Sequence, residues 1–311
     1  MIRTTNLTTS DTMLNYIMQS QAKYNEVSEM TSSGKKLTTP SDNSYDAVTV
    51  LNIDKQLSQL NGYSNNMSLA TNELDTLDGV TANITTQLNR ANDLAIQAAN
   101  GTNNTQSLTS IKTEVDQIIQ TLKDLGNTQY NGSYMFSGTA TGTVPFQDVT
   151  APDGTTGTVY KGTTATEDYQ RYIQISDNVK TPINVSGDTL LGSYDPVTKT
   201  GQGIMKTLYD FSNALGTGNT TGISDSIDKI QSGLDATSDT RTKFASLVNR
   251  FQMTTATTQS TITQLTSNRT ALTDIDLTTA ATQLATQQTA LQATLAVAAK
   301  TLQSNSLLNY L

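Results

Sequence analysis

Residues 277–302 read LTTAATQLATQQTALQATLAVAAKTL, and their periodicity decides the fold. Apolar or small side chains recur there in alternating steps of four and three. The positions are Leu277, Ala281, Leu284, Gln288, Leu291, Leu295, Ala298 and Leu302. A mean step of 3.5 residues is typical of a helix that packs lengthwise against another helix. The sequence therefore predicts a long C-terminal helix that needs a partner.

The other end of the chain carries a matching stripe. Its positions follow the same alternation and are Met13, Ile17, Ser20, Tyr24 and Val27. Because the two stripes share one repeat, we expect the first and last helices to pack against each other. Both chain ends should then lie together.

Between the two ends, helical periodicity alternates with one stretch of a different kind. Helical stripes run through residues 50–98, 108–125, 204–215 and 223–272. Residues 131–202 instead contain glycine and proline, alternating apolar and polar side chains, and a turn signal at Asp153-Gly154. The predicted fold class is mainly α, with long coiled-coil-like helices from both termini packed together and a small β-rich insert.

This pattern predicts three domains. Residues 1–38 and 277–311 form a paired-helix assembly domain, and residues 39–136 and 201–276 form a long-helix bundle. Residues 137–200 form a β-rich outer domain. Since the period-two pattern of the insert shares no stripe with the flanking helices, we expect the insert to be separable.

Self-association is the function that the terminal stripes indicate. One pair of helices cannot cover both stripes, so the leftover apolar side chains should face a neighbouring subunit. The predicted assembly interface comprises Met13, Ile17, Tyr24, Leu284, Leu291, Leu295, Leu302, Leu307, Leu308 and Leu311. The competing interpretation is an ordinary intramolecular bundle, which apolar stripes at helical spacing usually form.

Composition excludes several classes of function. The 311 residues include no cysteine, histidine or tryptophan, which removes thiolate and imidazole chemistry, disulfides and structural zinc. The net charge of −8 and the lack of basic runs argue against nucleic-acid binding. No apolar run approaches the roughly 20 residues that would span a bilayer. We therefore expect neither an enzyme nor a cofactor, metal, nucleic-acid or membrane site.

Two polar segments flank the predicted helix ends. Gly34 should end the first helix, and Pro40, Ser41 and Asp42 should start the second, because proline and capping side chains suit helix entry. Lys35 and Lys36 fit either a contact with an acidic neighbouring subunit or a solvated turn. Asp274-Ile275-Asp276 is better explained as a helix start than as a calcium ligand pair, since its spacing lacks the other residues of a calcium loop.

Three segments resemble the flagellin family. They are TSSGKKLTTPSDNSYDAV at 31–48, YNGSYMFSGTATGTVPF at 130–146, and the ending SLLNYL at 306–311. The first resembles the signature that joins the family's first two helices. The Pro-Ser-Asp form, the Tyr-x-Phe-x-Gly stretch and the ending are similar to the family's hook-associated members rather than to filament flagellins. Asn43 and Ser44 depart from the family pattern, where a second Asp and a Pro are common.

The resemblance implies a structural adaptor that joins hook to filament and is needed for filament assembly. Its implied partners are the preceding hook-associated protein, flagellin, further copies of itself in a ring, and a cytoplasmic export chaperone. It also implies an extracellular, flagellar location reached without a cleaved signal peptide, although composition alone favours the cytoplasm. The alternatives are a minor flagellin and, in a different class, a surface adhesin or secreted coiled-coil protein.

Overall fold

The computed structural model describes residues 2–101, 103–164 and 168–307. Its helices are α1 (Ile2–Ser33), α2 (Ser44–Ala98), α3 (Thr105–Gly126), a short α4 (Gly187–Leu190), α5 (Gly203–Thr217), α6 (Thr220–Thr273) and α7 (Leu277–Leu307). Its strands are β1 (Gln129–Tyr130), β2 (Ser133–Tyr134), β3 (Phe146–Thr150), β4 (Thr156–Tyr160), β5 (Tyr172–Ser176), β6 (Val179–Pro182), β7 (Ser193–Asp195) and β8 (Thr200–Gln202). The predicted fold class, mainly α with a small β insert, is confirmed.

The contacts within the chain divide it into two compact units. Residues 1–60 and 260–311 form the terminal unit, and residues 61–259 form the central unit. Helices α2 and α6 contribute residues to both units. The three-domain division drawn from the sequence stays a prediction.

The central unit is built on the apolar stripe of α2. Most of the side chains on this stripe are fully buried, namely Met67, Leu74, Leu77, Thr81, Ile84, Leu88 and Ala91. Helix α3 buries Ile111, Val115, Ile118 and Leu122 of its predicted stripe. Asn104 begins that helix by accepting a hydrogen bond from the Ser107 amide at 2.8 Å, which satisfies an otherwise unpaired N–H.

Among its described residues, the β region of the same unit contains four antiparallel hairpins. They pair β1 with β2, β3 with β4, β5 with β6, and β7 with β8. The predicted turn at Asp153-Gly154 joins β3 to β4; the Asp153 side chain accepts from the Thr155 amide, and Gly154 has a φ of 83°. Such a positive φ is readily adopted only by glycine.

The β hairpins share the hydrophobic core of the helices. Phe146 and Leu191 are buried in one cluster with Leu88 and Leu122. At the end of α3, a Cβ added to Gly126 would lie 2.6 Å from the Phe146 ring. The insert and the flanking helices thus contribute to one hydrophobic core. The separability of the insert stays a prediction.

The terminal unit contains α1, α7, the first turns of α2 and the last turns of α6. Helix α1 packs along α7. On α2, Ala47, Val50 and Ile53 are buried. The α2 and α6 segments are also joined by an ion pair between Asp54 and Arg269, with 2.6 Å between the carboxylate oxygen and Nε. The expected pairing of the two chain ends is present.

Candidate assembly surface at the paired chain ends

The stripe of α1 lies where the sequence places it. Met13, Ile17, Ser20, Tyr24 and Val27 are all partly buried, whereas most neighbouring positions are exposed. The lone α1–α7 pair covers these side chains only in part. Leu14, Tyr16 and Met18 on the same helix remain half or more exposed.

The stripe of α7 follows a different line from the predicted one. Its less exposed positions are Ala280, Leu284, Gln287, Leu291, Thr294, Ala298 and Thr301. Leu284, Leu291 and Ala298 belong to both lines. Leu277 and Leu295 are 58% and 46% exposed. The predicted stripe was therefore wrong at Leu277, Ala281, Gln288 and Leu295, which are exposed. A 3.5-residue repeat allows either the third or the fourth residue after Leu284 and Leu291 to continue the seam, and here it is the third.

Part of the predicted interface cannot be placed. The side chains of Leu302 and Leu307 lie outside the described atoms, and Leu308 and Leu311 lie outside the described residues. The assembly role of all ten residues stays a prediction.

A shallow groove runs between α1 and α7. Its volume is about 600 Å³. Met13, Tyr16 and Ser20 line it from α1, and Ala290 and Val297 line it from α7. Because its lining is largely apolar and open to solvent, the groove is a surface that another apolar helix could cover.

The turn after α1 is attached to the junction between α6 and α7. Gly34 ends α1 with a φ of 69°. The Lys36 amide donates to the Thr273 carbonyl at 2.8 Å, and the Ile275 amide donates to the Gly34 carbonyl at 3.1 Å. The Lys36 ammonium donates to the Ala271 carbonyl at 3.0 Å. Lys36 thus satisfies carbonyls at the end of α6, whose last turn carries no basic residue of its own.

The start of α2 differs from the predicted one. Pro40 is the second residue of a turn in which the Asp42 amide donates to the Thr39 carbonyl, a position that proline favours. Asn43 caps α2, since its side-chain oxygen accepts from the Asp46 amide at 3.2 Å. Ser41 and Asp42 are not caps. The substitution of Asn43 relative to the family pattern therefore supplies the capping group itself.

Asp42 instead holds the turn that precedes it. Its two carboxylate oxygens accept hydrogen bonds from the amides of Thr38 and Thr39 and from both threonine hydroxyls, at 2.7–3.0 Å. The Thr39 amide, the Thr39 hydroxyl and the Thr38 hydroxyl lower the pKa of Asp42 to about 2. These bonds favour the charged carboxylate over the neutral acid.

The acidic pair before α7 is a helix start. Asp276 accepts from the Thr278 amide at 2.9 Å and from the Thr279 hydroxyl at 2.9 Å. These hydrogen bonds, the backbone one foremost, lower the pKa of Asp276. Within the described ranges, no three acidic side chains are grouped so that they could hold a metal ion. Nor is any described helix long and apolar enough to cross a membrane.

One exposed apolar face was missed by the sequence reasoning. Tyr45, Val48 and Leu51 on the first turns of α2 are 81%, 58% and 66% exposed. They lie on a different side of the helix from the buried Ala47 and Val50, so apolar side chains occupy two faces of this segment. The sequence contains this signal, since a second apolar face on a helix indicates a second packing surface.

One protein-family model matches the N-terminal part of the chain. Residues 4–141 match the model of the bacterial flagellin N-terminal helical region. These residues are thus similar to the N-terminal helical region of bacterial flagellins. The match covers α1, the turn held by Asp42, α2, α3 and the first hairpin.

Hook-associated proteins are among the relatives of this chain. It is 30% identical over 135 residues to flagellar hook-associated protein 3 of Salmonella typhimurium, and 29% identical over 133 residues to that of Escherichia coli. The first match covers 43% of each chain, and the second covers 42% of each. The alignments thus span less than half the length of these relatives.

The fold is shared over a longer stretch. The structure described as a putative flagellar hook-associated protein from Vibrio parahaemolyticus superposes with a TM-score of 0.64 at 16% identity. The superposition covers 74% of this chain and 99% of that one. At this identity the likeness concerns the fold.

Proposed function

We propose that the chain is a structural component of the bacterial flagellum that joins hook to filament. The observation that carries the proposal is the pair of terminal helices whose apolar side chains, among them Tyr16, Leu295 and Val297, stay exposed in the single chain. The similarity to proteins named flagellar hook-associated protein 3 supports a role of this surface in the flagellum.

The proposed assembly is a ring of identical subunits. Each subunit offers the α1–α7 groove and the exposed flank of α7 to its neighbours. Leu302, Leu307, Leu308 and Leu311 are assigned to the same assembly interface from the sequence alone. A contact between two different patches of the same chain closes into a ring when its rotation allows. The ring would stand on the preceding hook-associated protein, and flagellin would add beyond it. Export would occur without a cleaved signal peptide and with the help of a cytoplasmic chaperone.

The turn motif has a proposed place in this assembly. Gly34, Lys36 and Asp42 shape the connection between α1 and the rest of the terminal unit, through the hydrogen bonds described above. Lys35 stays exposed and free to face an acidic neighbour. No catalytic role is proposed for any residue.

Deletion of the gene tests the proposal. The deletion strain should carry hooks without filaments and should release flagellin into the medium, and the wild-type chain supplied in trans should restore filaments. Filaments of normal length in the deletion strain would contradict the junction role. Purified chain that polymerises alone into long filaments would favour a minor flagellin, and normal motility with lost surface adherence would favour an adhesin.

A further inference from the structure

The two turns of the terminal unit form a short antiparallel ladder with defined geometry. Lys35 and Asp274 lie opposite each other. The hydrogen bonds on either side of this pair join the residues before and after it, Lys36 to Thr273 and Ile275 to Gly34. Lys35 and Asp274 are therefore a non-hydrogen-bonded pair, whose Cα atoms lie about 4.5 Å apart and whose side chains are close.

We propose that this ladder makes the two turns a single joint, on which α1 and α7 pivot as one body relative to the adjoining ends of α2 and α6. Without the ladder, each turn would connect its own pair of helices independently of the other turn. Joined by two backbone hydrogen bonds and by the Lys36 ammonium on the Ala271 carbonyl, they can bend only together.

Weak packing between α1 and α7 makes such a joint necessary. Their shared stripe contains Ser20, Gln287 and Thr294, and several of its apolar members are only partly buried. An antiparallel helix pair with few large side chains in its seam can slide by a turn at small cost. A fixed ladder at one end sets the register of the whole pair, so the exposed flanks of α1 and α7 keep their relative position while the pair changes direction.

Distance measurements on the single chain test the joint without relying on the proposed function. The chain has no cysteine, so spin labels can be placed at will. One pair joins the two helices through Glu26→Cys and Ala285→Cys, and the second crosses the joint through Glu26→Cys and Lys55→Cys; all three positions are exposed. We expect a narrow distance distribution for the first pair and a broader one for the second. Equally broad distributions would overturn the proposal.

A proline substitution breaks one rung of the ladder. Ile275→Pro removes the amide that donates to Gly34, while Ile275→Ala keeps the amide and serves as the matched control. The proline variant should broaden the distribution between residues 26 and 285, and the alanine variant should leave it unchanged. An unchanged width in a folded proline variant would overturn the proposal.

A disulfide can replace the hydrogen bond that Ile275→Pro removes. It also provides a test if the proline variant folds poorly. The close pair Lys35→Cys and Asp274→Cys suits a disulfide. In the Ile275→Pro background, oxidation should restore the wild-type resistance of α7 to proteolysis, and reduction should remove it again. Equal cleavage of the oxidised and reduced forms would show that the ladder does not hold the two turns together.

Discussion

Leu291 and Leu295 are one helical turn apart on α7, yet Leu291 is partly buried and Leu295 is 46% exposed. The two leucines therefore belong to different surfaces of the same helix. Leu291 contributes to the packing of the single chain, and Leu295 is available to a neighbour. This separation allows folding and assembly to be tested by two substitutions of the same kind.

Leu295→Asp should leave the single chain intact and block assembly. A charge at an exposed helix position changes the free energy of unfolding by no more than about 0.5 kcal/mol. The same charge in a desolvated contact between subunits costs several kcal/mol. Thermal melting should match the wild type, while filaments should be lost in a complemented deletion strain. Flagellar export of the variant must be checked, and an exported variant that supports normal filaments would contradict the assembly role of this flank.

Leu291→Asp should instead destabilise the α1–α7 pair in the single chain. Full burial of a leucine contributes about 1.5–3 kcal/mol, and Leu291 is buried in part, so we expect a loss of about 1–2 kcal/mol. Faster proteolysis of α7 in the purified chain is the measurement. Equal rates of proteolysis of Leu291→Asp and Leu295→Asp would show that the difference in burial between the two positions does not affect the stability of the α1–α7 pair.

Gly126→Ala should destabilise the central unit. The added methyl carbon would lie 2.6 Å from the Phe146 ring and 3.0 Å from Leu191, all of them buried in the core. Overpacking of this kind costs about 1–3 kcal/mol. Gly79→Ala is the matched control, since nothing lies within 4 Å of the new atom in the middle of α2. It should stabilise the helix by about 0.5–1 kcal/mol. The free energy of unfolding of both variants can be measured by urea unfolding. A Gly126→Ala variant as stable as the Gly79→Ala variant would contradict the close contact between residue 126 and the Phe146 ring.

Replacement of residues 137–200 by a Gly-Ser linker should unfold much of the central unit. Phe146, Tyr160, Ile175 and Leu191 are buried against the helices, and each would leave a gap in the core. Large-to-small changes at single core positions already cost about 2–5 kcal/mol. Circular dichroism should show a loss of helix at ambient temperature. A helical signal in proportion to the remaining residues would support the original expectation of a separable insert.

The helices were predictable from sequence, whereas the choice of packed face was only partly so. The repeat of α2 and α3 identified the buried side chains because large residues such as Met67 and Ile111 occupy one face. On α7 the small side chains Ala280 and Ala298 pack most closely, and hydrophobicity alone ranks the exposed Leu295 above them. A 3.5-residue repeat gives the spacing of a seam but does not select between two seams that share every second residue.

The turns and the shared core depended on contacts that are distant in sequence. The bond from Lys36 to Ala271 joins residues 235 positions apart, which no local pattern encodes. The role of Asp42 was misjudged for a different reason. Aspartate near a helix start usually caps the helix, but here Asn43 is one residue closer, and the Asp42 carboxylate turns back to the two preceding threonines.

Acid should open the turn that Asp42 holds. Its pKa in the folded chain is about 2, below the ordinary value of 3.8, so the carboxylate is stabilised by folding of the turn. For a depressed pKa, the stabilisation is fully present above pH 3.8 and is lost as the pH falls through about 2. The turn should therefore keep its hydrogen bonds at pH 5 and lose them in strong acid, together with the protection of the Thr39 amide from hydrogen exchange.

A carboxyl-carbon NMR titration of Asp42 gives the pKa directly. Thr39→Val removes the hydroxyl donor but keeps the amide, which is the largest cause of the shift, so the pKa should rise while staying below 3.8. In Asp42→Asn the turn should no longer respond to acid, because the amide side chain does not titrate in this range. A wild-type Asp42 that titrates near its ordinary value would show that the four hydrogen bonds from Thr38 and Thr39 do not persist in solution.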